Sequence, residues 1–191
     1  MNKIPTIIFG GSFDPVHNGH IALASEVCRR GLASEVWFMV SPLNPHKEGN
    51  NITPEDVRLQ MTRLALEGNP AFAACDFEFS MPRPSYTVKT LEALSVAYPE
   101  REFILLIGAD NWEKFHKWYM WETILANYRI IVYPRGDEKQ PSLPAGVTWM
   151  SAPLHNLSST MVREAVALGK DISHYVPASV GNFIKENNLY K

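Results

Sequence analysis

Two histidines, His17 and His20, stand three positions apart at the end of the segment GGSFDPVHNGH, residues 10–20. The segment follows an apolar run typical of a buried strand and leads into a stretch typical of a helix. Because glycine has no Cβ, a strand that ends in Gly10 and Gly11 lets an anion approach main-chain N–H groups. If the helix begins at position 18 or 19, both imidazoles project to one side at its positive end. The pattern therefore predicts a phosphate site.

A second group of polar residues, LSSTMVR at 157–163, lies near the carboxyl end of the chain. Its hydroxyls fall at the predicted start of a helix, where free N–H groups and the helix dipole favour anions. Ser159 and Arg163 are four positions apart and share one face of that helix. This segment is a second candidate for binding phosphate.

Both patterns also have a purely structural interpretation. A lone histidine near a helix start is usually a capping or surface residue, and a serine followed by an arginine can be an N-cap with a solvated cation. Two histidines behind a glycine pair favour a ligand site, because ligands of open α/β sheets bind at the carboxyl ends of the strands. The sequence has neither the three spaced glycines of the dinucleotide fingerprint nor the GxxxxGK[ST] phosphate loop.

Uniformly apolar runs predict the sheet that positions these segments, since such runs belong to parallel strands covered on both faces. We expect strands at 7–9, 36–40, 72–79, 103–107, 128–133 and 147–150. We expect helices at 21–27, from an N-cap at Thr53 onward, and at 88–98, 112–125, 159–168 and 177–187, with a surface loop at 136–146. The alternation predicts the α/β class, as a Rossmann-like, doubly wound parallel sheet with helices on both faces.

Composition excludes several classes of protein. A chain of 191 residues, 46% of them hydrophobic, can bury one core, and we expect one domain over 1–191. The sequence has 18 Lys and Arg residues and 20 acidic ones, and this near balance of charge argues against nucleic acid as a partner. Cys28 and Cys75 stand apart in apolar contexts, so we expect buried thiols in a reducing compartment. The sequence shows neither a signal-peptide core nor a membrane span, which predicts a cytoplasmic location.

The segment 10–20 resembles the HxGH signature of the nucleotidyltransferase superfamily, and 157–163 is similar to the SSxxxR-like segment that accompanies it. Members of that superfamily move a nucleoside monophosphate from a triphosphate to an acceptor. The resemblance implies one nucleotidyltransferase domain that clasps a triphosphate between the two turns. It implies catalytic roles for His17, His20 and Arg163, and further ATP contacts at Gly10, Gly11, Ser12, Phe13, Ser158, Ser159 and Thr160.

Three further stretches resemble segments of the bacterial nicotinate-nucleotide adenylyltransferases: RPSYTVKTL at 83–91, LIGAD at 106–110 and FHKWY at 115–119. The resemblance implies that the threonine of the first approaches a pyridine ring, on which the tryptophan of the third stacks. Stacking suits an electron-poor ring, which prefers an aromatic face. The implied acceptor-binding residues are Lys47, Tyr86, Thr87, Trp118, Tyr119 and Arg135, and the implied adenosine contacts are Gly108 and Asp110.

The reaction implied by this resemblance joins ATP to nicotinate mononucleotide, giving nicotinate adenine dinucleotide and pyrophosphate. The attacking 5′-phosphate is already an anion at neutral pH, so the reaction needs positioning and charge stabilisation more than a base. We expect Mg²⁺ to arrive with ATP, held by phosphate and water, and no metal site on the protein. We expect no membrane partner, and the sequence leaves monomer and homo-oligomer open.

Three alternatives remain at this level. A pantetheine-phosphate adenylyltransferase shares both phosphate motifs, although its chains tend to be shorter and lack the SYT and WY segments. A cytidylyltransferase is a more distant enzyme. A non-catalytic nucleotide sensor on the same fold would bind ATP without releasing pyrophosphate. Preference for nicotinate over nicotinamide mononucleotide rests on the resemblance alone.

Overall fold

A parallel β-sheet forms the centre of the protein. The computed structural model describes residues 3–42, 52–134, 136, 139–151 and 157–191. Within those ranges it contains six strands in the order β3-β2-β1-β4-β5-β6, every neighbouring pair parallel. The strands are β1 (Ile4–Gly11), β2 (Glu35–Val40), β3 (Phe72–Cys75), β4 (Arg101–Gly108), β5 (Arg129–Tyr133) and β6 (Val147–Trp149).

Helices connect these strands and cover both faces of the sheet. In the described part of the chain they are α1 (Asn18–Arg29), α2 (Glu55–Leu66), α3 (Thr87–Ala97), α4 (Ala109–Glu113), α5 (Trp121–Asn127), α6 (Ser159–Ala167) and α7 (Ala178–Glu186). Short 3₁₀ helices span Phe77–Ser80 and Phe115–Lys117.

Two apolar cores lie on opposite faces of the sheet because successive side chains of a strand point to opposite sides. Along β1, Ile7 and Phe9 belong to one core and Ile8 to the other. The first core takes its helical residues from α1, α2, α6 and α7: Leu23, Val27, Leu59, Met61, Val162, Val180 and Ile184. The second takes them from α3, α4 and α5: Val88, Leu91, Leu94, Ala109 and Ile124. The prediction of a doubly wound α/β sheet is therefore confirmed.

The sheet order reverses direction between β1 and β4, and this reversal decides where a ligand binds. The chain moves outward from β1 to β2 and β3, then returns to place β4 on the other side of β1. Phe9 pairs with Leu106, so the two strands end side by side. In open α/β sheets, ligands bind beyond the carboxyl ends of strands at such a switch point. Both Gly11 and Gly108, the last residues of β1 and β4, lie there.

Some local predictions were wrong. The strand expected at 72–79 ends at Cys75 and gives way to the 3₁₀ helix Phe77–Ser80, because Glu78 turns inward to meet polar partners. The helix expected at 112–125 is broken into α4, a 3₁₀ turn and α5, and Met120 has the left-handed φ of 50° that a continuous helix excludes.

Two further predictions need correction. The N-cap of α2 is Pro54 instead of Thr53; the Thr53 carbonyl accepts a side-chain bond from Arg58 and its N–H donates to Asp14. Cys28 and Cys75 are half-buried and not fully buried, since one lies at the last turn of α1 and the other ends the edge strand. Partial burial still raises the pKa of both thiols, that of Cys75 to about 11, which keeps them protonated at neutral pH.

Candidate active site

The turn between β1 and α1 is built around a close approach of main chain and aromatic ring. A Cβ on Gly11 would lie 2.9 Å from Cζ of Phe13, so any larger residue here would have to displace that ring. Phe13 has a left-handed φ of 47°, and its buried ring packs edge-on against Phe9 at 5.5 Å between centroids. The same ring lies 5.0 Å from the imidazole of His20. Packing between aromatic rings thus fixes the turn that carries the histidines.

The two predicted histidines form a stacked pair at the start of α1. His17 is the N-cap residue and His20 lies in the first turn. Their ring centroids are 3.6 Å apart with planes 20° from parallel. The main-chain N–H of His17 donates to Nδ1 of His20 at 3.2 Å. In the neutral ring of His20 the proton therefore sits on Nε2, so that nitrogen is a hydrogen-bond donor.

The turn at the start of α6 lies directly against this first turn. Ser158 is its N-cap and accepts from the N–H of Met161 at 3.2 Å. The hydroxyl of Ser159 donates to the carbonyl of Pro15 at 2.8 Å. These contacts bring together segments 144 positions apart in the sequence.

Arg163 joins the same two turns from the next helical turn of α6. Its Nη1 donates to the Asp14 carbonyl at 2.8 Å, and its Nη2 to Oγ1 of Thr160 at 3.2 Å. A guanidinium has five N–H donors in a fixed fork, so these bonds hold its direction while other donors remain for an anion. The imidazoles, the N-terminal end of α6 and this guanidinium thus form one corner beyond the ends of the strands, where the helix N-terminus and the guanidinium charge favour an anion.

The segment predicted to meet adenosine lies beside that corner. Gly108 is the last residue of β4 and the N-cap of α4, and the exposed Asp110 lies in the first turn of that helix. Because β4 pairs with β1, both lie at the same edge of the sheet as Gly10 and Gly11. A carboxylate here can accept from a ribose hydroxyl.

The predicted acceptor-binding residues also come together in space. Tyr86 is the N-cap residue of α3 and Thr87 its first residue. The rings of Tyr86 and Tyr119 lie 4.8 Å apart, with 44% and 51% of these residues exposed. Trp118 is half-buried and packs on Phe115, with 5.4 Å between ring centroids. Segments 86–87 and 118–119 therefore share one aromatic surface, whereas Lys47 and Arg135 lie outside the described residues.

A buried glutamate holds the first of these segments in place. Glu78 accepts from the hydroxyl of Thr90 at 2.7 Å and from that of Ser85 at 3.2 Å. Burial raises the pKa of Glu78, and the two hydroxyl donors oppose that rise. Ser85, just before Tyr86, and Thr90, one helical turn after it, are thus both bonded to Glu78, which fixes the position of Tyr86.

Three residues that hold the turn between β1 and α1 (residues 12–17, from here on the phosphate turn, after its predicted ligand) were not identified from the sequence as members of the site. Arg58 is 1% exposed and donates to the carbonyls of Ser12, Pro42 and Thr53 at 2.5, 3.1 and 2.8 Å. The carboxylate of Asp14 accepts from the hydroxyl of Tyr190 at 2.7 Å, in addition to the bond from the Thr53 N–H. Only Arg58 left a signal, a charge next to the apolar stripe of α2; Asp14 lies in the turn itself.

The described ranges show neither a metal centre nor a membrane span. They contain no group of three or more His, Cys, Asp or Glu side chains arranged to hold a metal ion. No helix among them is both long and apolar enough to cross a bilayer.

Comparisons with known proteins identify the family. The Cytidylyltransferase-like family model matches residues 8–165. A relative from Bacteroides thetaiotaomicron, named "Probable nicotinate-nucleotide adenylyltransferase", is 46% identical over 97% of this chain and 93% of its own. A Bacteroides fragilis protein of the same name is 48% identical over 94% and 90% of the two chains.

Solved structures share the fold. Plasmodium falciparum nicotinic acid mononucleotide adenylyltransferase complexed with NaAD superposes with a TM-score of 0.83 at 20% identity, covering 98% of this chain and 97% of that one. The same enzyme complexed with APC gives a TM-score of 0.81 with the same identity and coverage. With the turn between β1 and α1 joined to the start of α6 at the switch point of the sheet, and with relatives matched over nearly their whole length, the chain belongs to the cytidylyltransferase-like family and, within it, to the nicotinate-nucleotide adenylyltransferases.

Proposed function

We infer that the protein transfers the adenylyl group of ATP to nicotinate mononucleotide, releasing pyrophosphate and giving nicotinate adenine dinucleotide. The observation that carries this inference is the direct contact between the two turns, in which Ser159 and Arg163 donate to the carbonyls of Pro15 and Asp14. One triphosphate can then touch the imidazoles and the guanidinium together. The relatives named above support the choice of acceptor.

In this mechanism an oxygen of the acceptor's 5′-phosphate attacks the α-phosphorus of ATP in line. A new P–O bond forms while the bond from the α-phosphorus to the α,β-bridging oxygen breaks, and the electron pair leaves on pyrophosphate. Nε2–H of His20 stabilises the α-phosphoryl oxygens, and His17 stabilises the charge on the β-phosphate side of the bridging oxygen. Arg163 and the N-terminal end of α6, with Ser158, Ser159 and Thr160, bind the departing pyrophosphate.

The remaining contacts follow the layout of the site. Main-chain groups of Gly10 to Phe13 line the approach to the triphosphate, and Gly108 and Asp110 receive adenosine. The surface of Tyr86, Thr87, Trp118 and Tyr119 binds the pyridine ring, with Trp118 as the stacking platform. The family resemblance supports Lys47 and Arg135 as further residues that bind the acceptor.

Mg²⁺ accompanies ATP in this proposal and takes its ligands from phosphate oxygens and water, as this ion commonly does. The ion neutralises triphosphate charge, while the chain supplies imidazole, guanidinium and main-chain donors. We also propose that the protein works in the cytoplasm on small molecules, without nucleic acid.

Steady-state kinetics of pyrophosphate release test the proposal. The protein is assayed with ATP and, separately, nicotinate mononucleotide, nicotinamide mononucleotide and phosphopantetheine, and then with CTP in place of ATP. The expected result is the highest kcat/KM for ATP with nicotinate mononucleotide. A preference for phosphopantetheine or CTP identifies one of the other transferases, and ATP binding without turnover for any acceptor identifies a sensor. Each of these outcomes contradicts the proposal.

A further inference from the structure

The penultimate residue of the chain lies beneath the phosphate turn. The hydroxyl of Tyr190 donates to Oδ1 of Asp14 at 2.7 Å, a contact across 176 positions of sequence. Asp14 is 5% exposed, and its second oxygen, Oδ2, accepts from the N–H of Thr53 at 3.3 Å. The carboxylate is therefore held from two directions by elements that are far from it in the chain.

The main chain of Asp14 reaches the catalytic corner. Its carbonyl accepts from Nη1 of Arg163 at 2.8 Å. One residue thus joins Tyr190, through its side chain, to the guanidinium that we assign to pyrophosphate. Three positions further on, His17 caps α1. A shift of Asp14 would be passed to Arg163 through one hydrogen bond and to the histidines through three residues of main chain.

The residues after α7 adopt a conformation that brings Tyr190 to Asp14. After α7, Asn188 and Tyr190 both have left-handed φ values, 53° and 62°, and the N–H of Leu189 donates to the Ile184 carbonyl at 3.0 Å. A positive φ is unfavourable for tyrosine, so it occurs only where surrounding contacts hold the main chain in that conformation. Burial, and then the bond to Asp14, raise the pKa of Tyr190 far above its ordinary value. The phenol therefore stays protonated and remains a donor throughout the range in which the enzyme works.

We propose that Tyr190 is a positioning residue for adenylyl transfer: through Asp14 it fixes the phosphate turn and the direction of Arg163. Tyr190 itself does not touch the reacting atoms. The proposal rests on the function inferred above. It differs from a purely structural role, in which the tyrosine would stabilise the fold without affecting how ATP is held.

The test compares Tyr190→Phe, which keeps the ring and removes the donor, with Tyr128→Phe. Tyr128 packs against the other core, and its hydroxyl lies 3.4 Å from that of Ser95. Both variants are assayed well below their unfolding temperatures. We expect Tyr190→Phe to lower kcat about 5–20-fold and raise the KM for ATP severalfold, because small displacements of catalytic groups are costly. The KM for nicotinate mononucleotide and all constants of Tyr128→Phe should stay within about twofold of wild type.

A double-mutant cycle with Arg163→Ala tests whether the effect of Tyr190 reaches the reaction through Arg163. If Tyr190 acts through Arg163, the phenylalanine substitution loses most of its effect on kcat in the Arg163→Ala background. Unchanged kcat and KM for ATP in Tyr190→Phe, or equal effects in both backgrounds, overturn the proposal. If the wild-type protein transfers nothing, the proposed function fails, and equilibrium binding of ATP then decides: weaker binding by Tyr190→Phe supports the positioning role and unchanged binding contradicts it.

Discussion

Replacing Arg58 by methionine tests how the site is supported. Arg58 points inward from α2 and is 1% exposed. Its guanidinium donates to the carbonyls of Ser12, Pro42 and Thr53. Methionine fills a similar volume with no donor. Burial lowers the pKa of Arg58, and the negative charge of Asp14 opposes that shift, so the substitution also removes the cation near a buried carboxylate.

The size of the effect follows from these contacts. An unsatisfied buried acceptor costs about 1–3 kcal/mol, so three carbonyls set a gross loss of about 3–9 kcal/mol. Relief of the desolvation of the guanidinium and entry of water reduce this figure. Removal of one member of a buried charged network typically costs about 3–5 kcal/mol, and we expect the free energy of unfolding to fall by that amount. Such a loss is a large share of the free energy of unfolding of a typical domain, which is about 5–15 kcal/mol.

Urea unfolding followed by tryptophan fluorescence and circular dichroism measures this loss. Arg63→Met on the same helix is the matched control, because Arg63 is exposed and its ion pair with Asp76, at 3.1 Å, lies on the surface. We expect the control to lose about 0–1 kcal/mol. If Arg58→Met loses no more stability than Arg63→Met, the buried bonds to the three carbonyls do not support the turn as argued.

Three further predictions concern the site. His20→Ala should lower kcat by about 10²–10³, the scale for one transition-state donor, in an assay of pyrophosphate release; near-normal turnover with folding intact would contradict its role. Trp118→Leu should raise the KM for nicotinate mononucleotide about tenfold, with the KM for ATP as internal control, because it removes the ring face; equal changes in both constants would point to general damage. Because its folded-state pKa is raised above 4.5, Glu78 contributes stability that is full below pH 4.5 and lost as pH rises through the folded pKa. Calorimetry should therefore show a smaller fall in Tm between pH 4.5 and neutrality for Glu78→Gln than for wild type. Glu92→Gln, which changes an exposed ion pair, is the control and should show the same pH dependence as wild type. Parallel curves of Tm against pH for Glu78→Gln and wild type would refute this.

Much of the fold was visible in short apolar runs. The strands β1, β2, β4 and β5 are buried on both faces along most of their length, so each contains a run of consecutive apolar residues that stands out from its surroundings. The two errors in element boundaries, at 72–79 and 112–125, lie where apolar residues continue past a strand or helix. At 112–125 the aromatic residues that pack into the second core gave no sign that Met120 would take a left-handed conformation.

The sequence by itself determined the local chemistry: the glycine pair, two imidazoles three positions apart and the hydroxyls with an arginine one helical turn away all depend on neighbours within one turn. Only the tertiary structure decided which distant segments meet. The contacts of Arg163 with Asp14 and of Tyr190 with the same residue span 149 and 176 positions. Such contacts leave no periodic pattern in the sequence, because they arise from the packing of whole helices against a sheet whose strand order places β4 beside β1.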